Sequence, residues 1–138
     1  MAYLCIDPVS EPLRRWGNKT GVLWVWALGE DGRKILLSLS TTNSESYESC
    51  LEALRELAKR GMPPPVTITT DGAPGLTKAV DAMWPKSLRI RCWFHKMQNL
   101  QQKVPALAWP ECKALVVNRR EAPTLEAARD RRQALVAR

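Results

Sequence analysis

Two aspartates stand at positions where a pair of carboxylates can do chemistry. Asp7 closes the apolar run YLCID near the start of the chain, and Asp71 closes the β-branched run VTITT. Both runs are typical of short strands, and Pro8, which cannot donate to a sheet ladder, predicts that the first strand ends at about that residue. Each acid is therefore expected at the carboxyl end of a strand.

Two like charges side by side repel each other unless a cation lies between them, and carboxylate oxygens suit Mg²⁺ or Mn²⁺. Such a site can activate a water or a 3′ hydroxyl at a phosphodiester and stabilise the oxygen that leaves. The purely structural interpretation stays open for each acid, because an Asp before Pro and an Asp-Gly pair are both common in turns.

The elements that must position these acids follow from the spacing of apolar residues. After the first strand the pattern predicts two strands joined by an Asp-Gly hairpin, a helix, a strand, a shorter helix and a fifth strand. The predicted ranges are Gly21–Leu28, Lys34–Ser40, a helix capped by Asn43 or Ser44 and stopped by Gly61, Val66–Thr70, Thr77–Trp84 and Leu88–Cys92. This order places the fourth strand beside the first, so that Asp7 and Asp71 meet at one edge of a mixed α/β sheet.

Helices are predicted for the rest of the chain. The expected ranges are His95–Val104, Pro110–Asn118 and Thr124–Arg138. Thr124 is the expected cap of the last helix, and Leu125, Ala128 and Leu135 are expected to face inward. The chain stops inside this helical pattern, which predicts that the natural protein continues.

Composition narrows the class of protein. The chain has 138 residues, 45% of them hydrophobic and 25% charged, which predicts a folded domain and excludes a disordered or fibrous protein. No apolar run approaches the roughly 18 to 20 residues needed to span a bilayer, and the start MAYLCID lacks a signal peptide. We therefore expect a cytoplasmic protein without membrane contact, whose Cys5, Cys50, Cys92 and Cys112 are reduced thiols.

The charge is unevenly distributed. The net charge is +7, and residues 1–60 carry equal numbers of basic and acidic residues, so residues 61–138 hold the whole excess. A basic excess favours DNA as a partner, although it also serves solubility. The DNA-binding candidates are Arg89, Arg91, Lys96 and Lys103. The late arginines between Arg119 and Arg138 are either further DNA contacts or a solvated helix face.

Aromatic residues lie among these candidates. Trp93 and Phe94 are interleaved with the basic residues, as in a surface that stacks bases, and one of the two is expected to be buried. Trp24 and Trp26 alternate along a predicted strand, share one face and are assigned to packing.

A Cys-x-x-His motif is formed by Cys92 and His95. Two ligands do not complete a zinc site, so the favoured interpretation is a buried thiol that ends the fifth strand and a histidine that caps a helix or packs near the catalytic cleft. As the only histidine, His95 is also a candidate for contact with a phosphate or a water.

The stretch from Asp71 to Leu100 carries a recognisable signature. An Asp-Gly and a Gly-Leu open a helix, a Trp-Pro ends it, and the Cys-x-x-His runs into a His-Lys and an Asn-Leu. Together with YLCID at the start and APTLEAAR near the end, this stretch resembles the Mutator-type bacterial insertion-sequence transposases.

The resemblance implies a ribonuclease-H-like core that uses an Asp, Asp, Glu triad and a divalent metal, Mg²⁺ or Mn²⁺. Asp7 matches the first acid and Asp71 the second. None of Glu111, Glu121 and Glu126 matches the catalytic glutamate, which the family carries after an inserted helical region. On this basis residues 1–104 are a portion of the catalytic core, and residues 105–138 are the truncated start of that insertion.

The family acts on DNA, both element ends and target, and we expect the full-length parent to be a homo-oligomer. The expected function is that of a transposase fragment with little or no activity alone. The alternatives are a catalytically inactive DNA-binding or interaction remnant and a nuclease complete in itself. Loss of Mg²⁺- or Mn²⁺-dependent cleavage in Asp7→Asn would separate a nuclease from a remnant.

Overall fold

The computed structural model describes residues 3–11, 20–42 and 46–136, which divide into two compact units, residues 1–92 and residues 93–138. The predicted α/β order is confirmed in the described ranges. The strands are β1 (Tyr3–Glu11), β2 (Thr20–Leu28), β3 (Lys34–Thr42), β4 (Thr67–Thr70) and β5 (Leu88–Arg91). The helices are α1 (Tyr47–Lys59), α2 (Pro74–Met83), α3 (Trp93–Gln101), α4 (Trp109–Arg120) and α5 (Leu125–Val136).

The five strands form one mixed sheet in the order β3-β2-β1-β4-β5. The first three strands are antiparallel neighbours, whereas β4 lies parallel to both β1 and β5. Helix α1 is the crossover that returns the chain to the far side of β1, as a parallel pairing requires. The predicted neighbourhood of the first and fourth strands is therefore confirmed.

The prediction that the first strand ends at Pro8 is wrong. Strand β1 continues to Glu11, and Pro8 lies opposite Leu23 of β2. The parallel pairing with β4 ends where Ile6 lies opposite Thr70. Beyond that point β1 has a paired strand on one side only, and strand positions with one open side are where proline is tolerated. Asp7 therefore lies within β1, at the end of its ladder with β4.

The predicted hairpin between β2 and β3 is confirmed. The Gly29 amide donates to the Arg33 carbonyl at 2.9 Å, and the Gly32 amide donates to the Gly29 carbonyl at 3.0 Å. Gly32 adopts a φ of 77°, which a residue with a side chain rarely takes. The Asp-Gly pair thus forms the predicted turn between β2 and β3.

The capping residue of α1 is Ser46, whose hydroxyl accepts from the Ser49 amide at 3.4 Å. The predicted caps, Asn43 and Ser44, lie outside the described residues. The predicted stop is confirmed, since the helix ends just before Gly61, which has a φ of 89°. Helix α2 starts at Pro74, one turn earlier than predicted, because proline is pre-organised for the first turn.

The two faces of the sheet differ. The helix face (Leu4, Ile6, Leu23, Val25, Ala27 and Ile68) packs against α1 and α2 and holds the core, with each side chain at most 2% exposed. The side chains that alternate with these form the open face: Tyr3, Cys5, Asp7, Val9, Trp24, Trp26 and Thr69. Within residues 1–92, neither described helix packs on the open face.

Residues 93–138 form a helical unit with little interior. Val116 is the buried residue among its described positions, and the predicted inward-facing Leu125 is wrong because its side chain is 68% exposed. The predicted cap is confirmed, since the Thr124 hydroxyl accepts from the Ala127 amide at 3.1 Å. No helix in the described part of the chain is both long and apolar enough to cross a membrane.

Candidate active site

Asp7 lies on the open face, in a cleft of about 270 Å³. One of its carboxylate oxygens, Oδ1, is shielded from solvent. The other residues that line the cleft belong to β1, β2 and β4 or follow β5: Cys5, Ile6, Val9, Trp24, Trp26, Thr69 and Cys92. The alternation of β1 directs Asp7 to this face because Leu4 and Ile6 take the helix face.

Asp71 follows β4 directly and closes the turn that leads into α2. Its Oδ1 accepts from the Ala73 amide at 2.9 Å, while the Gly72 amide donates to the Thr70 hydroxyl at 3.1 Å. Gly72 has a φ of 82°. The interpretation of Asp71 as a turn residue is therefore correct. Its second carboxylate oxygen, Oδ2, takes no part in this turn hydrogen bond.

The negative charge of Asp71 also affects a buried thiol, that of Cys50. Burial raises the pKa of the Cys50 thiol, and the Asp71 charge raises it further. Cys50 is fully buried on α1. The charge of Asp71 is therefore close enough to α1 to act on the Cys50 thiol.

The backbone brings the two acids together. The last residues paired between β1 and β4 are Ile6 and Thr70, so Asp7 and Asp71 are the next residue of each strand, and paired strands lie about 4.8 Å apart. In the described ranges no three His, Cys, Asp or Glu side chains are close enough to hold a metal. Mg²⁺ is often held by only one or two carboxylates together with waters and phosphates, so the pair fits an incomplete site of that kind.

The two arginines of β5 differ in their partners. Arg89 forms an ion pair with Asp81 of α2 at 2.8 Å, in which both side chains are about half exposed. The guanidinium of Arg91 lies against Gly72, so that a β-carbon at residue 72 would collide with it. The Arg91 guanidinium therefore lies beside the Asp71 turn, whereas the charge of Arg89 is already paired with that of Asp81.

The Cys-x-x-His motif spans the boundary between the two units. Cys92 ends the first unit, where its amide donates to the Thr70 carbonyl at 2.7 Å and its side chain lines the cleft. His95 belongs to α3, which begins at Trp93, and meets the Phe94 ring edge to face at 5.6 Å. All four cysteines are free thiols, as predicted.

The expectation that Trp93 or Phe94 is buried is wrong. Phe94 is 62% exposed, and Trp93 is half-buried, with the Arg120 guanidinium 5.2 Å from the centre of its ring. The basic candidates Lys96 and Lys103 are exposed, as are the three glutamates of this unit: Glu111, Glu121 and Glu126. A helix with few residues behind it leaves both polar and aromatic side chains in solvent.

Sequence reasoning missed Trp24, Trp26 and Thr69 as cleft residues. The alternation of the strand predicts correctly that the two tryptophans share a face, and they do. The same pattern contains the signal that Asp7 shares that face, because Trp24 lies opposite Asp7 in the antiparallel ladder. Alternation alone does not give the pairing register of β1 and β2, and that register is what places Asp7 on the same face as Trp24.

Comparison with known proteins gives a consistent result. A family model described as "Transposase, Mutator family" matches residues 1–138. The transposase for insertion sequence element IS6120 of Mycolicibacterium smegmatis is 36% identical over 114 residues, which cover 83% of this chain and 35% of the relative.

Two further relatives carry similar names. The transposase for insertion sequence element IST2 of Acidithiobacillus ferrooxidans is 36% identical over 85 residues, covering 61% of this chain and 29% of the relative. The transposase for insertion sequence element IS1081 of Mycobacterium tuberculosis is 28% identical over 126 residues, covering 90% of this chain and 30% of the relative. The chain thus spans about a third of the length of the relatives it matches.

Proposed function

The chain belongs to the Mutator family of transposases, and from this premise we propose that it is part of a ribonuclease-H-like catalytic core that cuts and joins DNA. The parent's reaction is phosphoryl transfer at the ends of an insertion sequence. Two features support the fold assignment: the element order βββαβαβ and the strand order β3-β2-β1-β4-β5. The partner is DNA, with Mg²⁺ or Mn²⁺ as the metal.

One observation carries the proposal. Asp7 and Asp71 are the first residues beyond the parallel ladder of β1 and β4, at the carboxyl end of the pairing. Ligands collect at this end of sheets with parallel strands. Asp7 presents its carboxylate to the cleft, and Asp71 retains one oxygen outside its turn hydrogen bond. A bound divalent metal would there activate the attacking oxygen and stabilise the leaving oxygen of a phosphodiester.

The residues of this chain do the positioning. The Asp71 turn is held by the Thr70 hydroxyl and by the amide of Ala73, so the carboxylate is oriented before any ligand arrives. Arg91 stands beside this turn as a cation for a DNA phosphate. The third acid of the triad is proposed to come from a part of the parent outside this chain, since the relatives are about three times as long.

Metal binding tests the acids directly. The Mn²⁺ signal in electron paramagnetic resonance should show a weak site in the wild-type chain that is lost in Asp7→Asn and in Asp71→Asn. Glu52→Gln removes an exposed carboxylate on α1 and should leave the site unchanged. Equal Mn²⁺ binding in the three variants and the wild type would contradict the role of the aspartates.

DNA binding tests the cations. The affinity for a labelled duplex should fall steeply as salt rises, because phosphate contacts release counterions. Arg91→Ala should weaken binding more than Arg89→Ala, whose guanidinium is already paired with Asp81. An affinity that does not change with salt would exclude the phosphate contacts.

The second candidate function is that of an inactive DNA-binding remnant. The absence of a three-ligand cluster in the described ranges favours it for the isolated chain. Duplex binding that survives in Asp7→Asn, together with no Mn²⁺ site in the wild type, would support this function over the first.

A further inference from the structure

Trp24 and Trp26 form an aromatic surface on the open face. Their rings are nearly parallel, with an interplanar angle of 8° and 6.2 Å between ring centres. Both side chains are partly exposed, whereas their neighbours Leu23 and Val25 are fully buried on the helix face. The two tryptophans therefore contribute to the open face and not to the core under α1 and α2.

This aromatic surface lies directly beside the candidate acid. In the β1–β2 ladder Trp24 is opposite Asp7 and Trp26 is opposite Cys5, and directly opposed residues share a face. Both rings line the cleft that contains Asp7 and Thr69. The cleft thus combines two aromatic rings with the carboxylate of Asp7 and the hydroxyl of Thr69.

The size and charge of the site indicate its occupant. At about 270 Å³ the cleft is slightly smaller than the roughly 300–1,000 Å³ of pockets for drug-sized ligands, so it suits a small group such as one ring. The chain carries a net charge of +7 and therefore attracts a polyanion. Among polyanions, a nucleic acid strand also carries planar rings that stack on aromatic side chains.

We propose that Trp24 and Trp26 form a stacking subsite for an unpaired nucleobase of a DNA strand. The subsite rests on the proposed function, because it places the base next to the phosphodiester that a divalent metal at Asp7 and Asp71 would bind. Bases inside a duplex are already stacked on their neighbours, so the base must be unpaired to stack on a tryptophan ring. Stacking is tolerant of sequence, since every base has a π face.

The experiment compares two single-stranded oligonucleotides of equal length and charge, an oligothymidylate and a strand of abasic nucleotides, by fluorescence anisotropy. The wild type should bind the thymidylate more tightly. Trp24→Ala and Trp26→Ala should each weaken thymidylate binding by roughly 5- to 150-fold and leave abasic binding unchanged. Trp24→Phe should recover most of the loss because it restores a π face.

The controls separate stacking from folding. Leu39→Ala removes an aliphatic side chain opposite Trp24 on the same face and should change neither affinity. Where Trp24→Ala fails to fold by circular dichroism, Trp24→Leu keeps apolar bulk without the flat ring and should show the same selective loss.

Each other outcome contradicts a distinct claim. If the wild type binds both strands equally, the stacking subsite is wrong while the phosphate contacts stand. Equal losses for both strands in Trp24→Leu would also overturn it. If the tryptophan variants change only self-association in sedimentation, the open face binds protein and not bases. A wild type that binds neither strand contradicts the proposed function together with the subsite.

Discussion

The helix face and the open face belong to the same five strands but contribute differently to the molecule. On the helix face, Leu23, Val25 and Ile68 have no solvent exposure and pack against α1 and α2. On the open face, Tyr3 is 47% exposed and Asp7 lines a cleft. The comparison shows that strand alternation separates the residues that stabilise the fold from those available for chemistry.

The largest expected effect is a loss of packing on the helix side. Leu54 of α1 is fully buried in this core, so Leu54→Ala should lower the free energy of unfolding by about 2–5 kcal/mol. Leu39→Ala, at a 55% exposed position opposite Trp24, should cost less than about 1 kcal/mol. Urea unfolding followed by circular dichroism measures both. Equal costs would mean that the two faces are equally buried, and the comparison would fail.

A smaller effect is expected at the Asp71 turn. Gly72 has a φ of 82°, so Gly72→Ala should cost about 1–2 kcal/mol in backbone strain. The new β-carbon would also displace the Arg91 guanidinium. Gly32→Ala is the matched control, because its φ of 77° is similar and no atom lies within 4 Å of the added carbon. Urea midpoints should show a larger loss at residue 72, and Arg91→Ala should remove the difference.

The smallest expected effect concerns two thiols, one on each side of the sheet. Cys50 is fully buried, whereas Cys5 is partly exposed in the cleft. Alkylation followed by mass spectrometry should label Cys5 in the folded chain and Cys50 only after urea unfolding. Native labelling of Cys50 at the rate of Cys5 would contradict the burial that distinguishes the two sides.

The contribution of the Cys50 thiol to stability depends on pH. Because burial and Asp71 raise the pKa of Cys50 above its ordinary 9.0, the folded state favours the neutral thiol. Its contribution to stability is present below pH 9.0 and is lost as the pH rises through the higher folded value. Unfolding midpoints at pH 8 and pH 10 should therefore differ more for the wild type than for Cys50→Ala.

Local chemistry made much of the fold predictable. The hairpin at Gly32 and the end of α1 at Gly61 depend on positive φ angles that glycine adopts readily. The Thr124 cap depends on a hydroxyl three residues before the amide it satisfies. Each of these features is decided by residues within one turn of each other, so their order in the chain is sufficient to find them.

The failed predictions depend on neighbours distant in the chain. Pro8 stays in β1 because β4 stops pairing at Thr70, which no pattern around Pro8 shows. Leu125 is exposed although its spacing predicts an inward position, because helical periodicity does not say how much packs behind a helix.

The sequence by itself determined the order of strands and helices, the pairing of the first strand with the fourth, and the common face of Trp24 and Trp26. Only the tertiary structure decided which face that is, because alternation shows that side chains share a side but not which side the helices cover. It also decided that Asp7 lines the cleft while Asp71 accepts a hydrogen bond from the Ala73 amide in the turn before α2. The register of the strands and the order of the layers depend on pairing between segments that are distant in the chain. The energy of such a pairing depends on both partners and cannot be obtained from either segment alone.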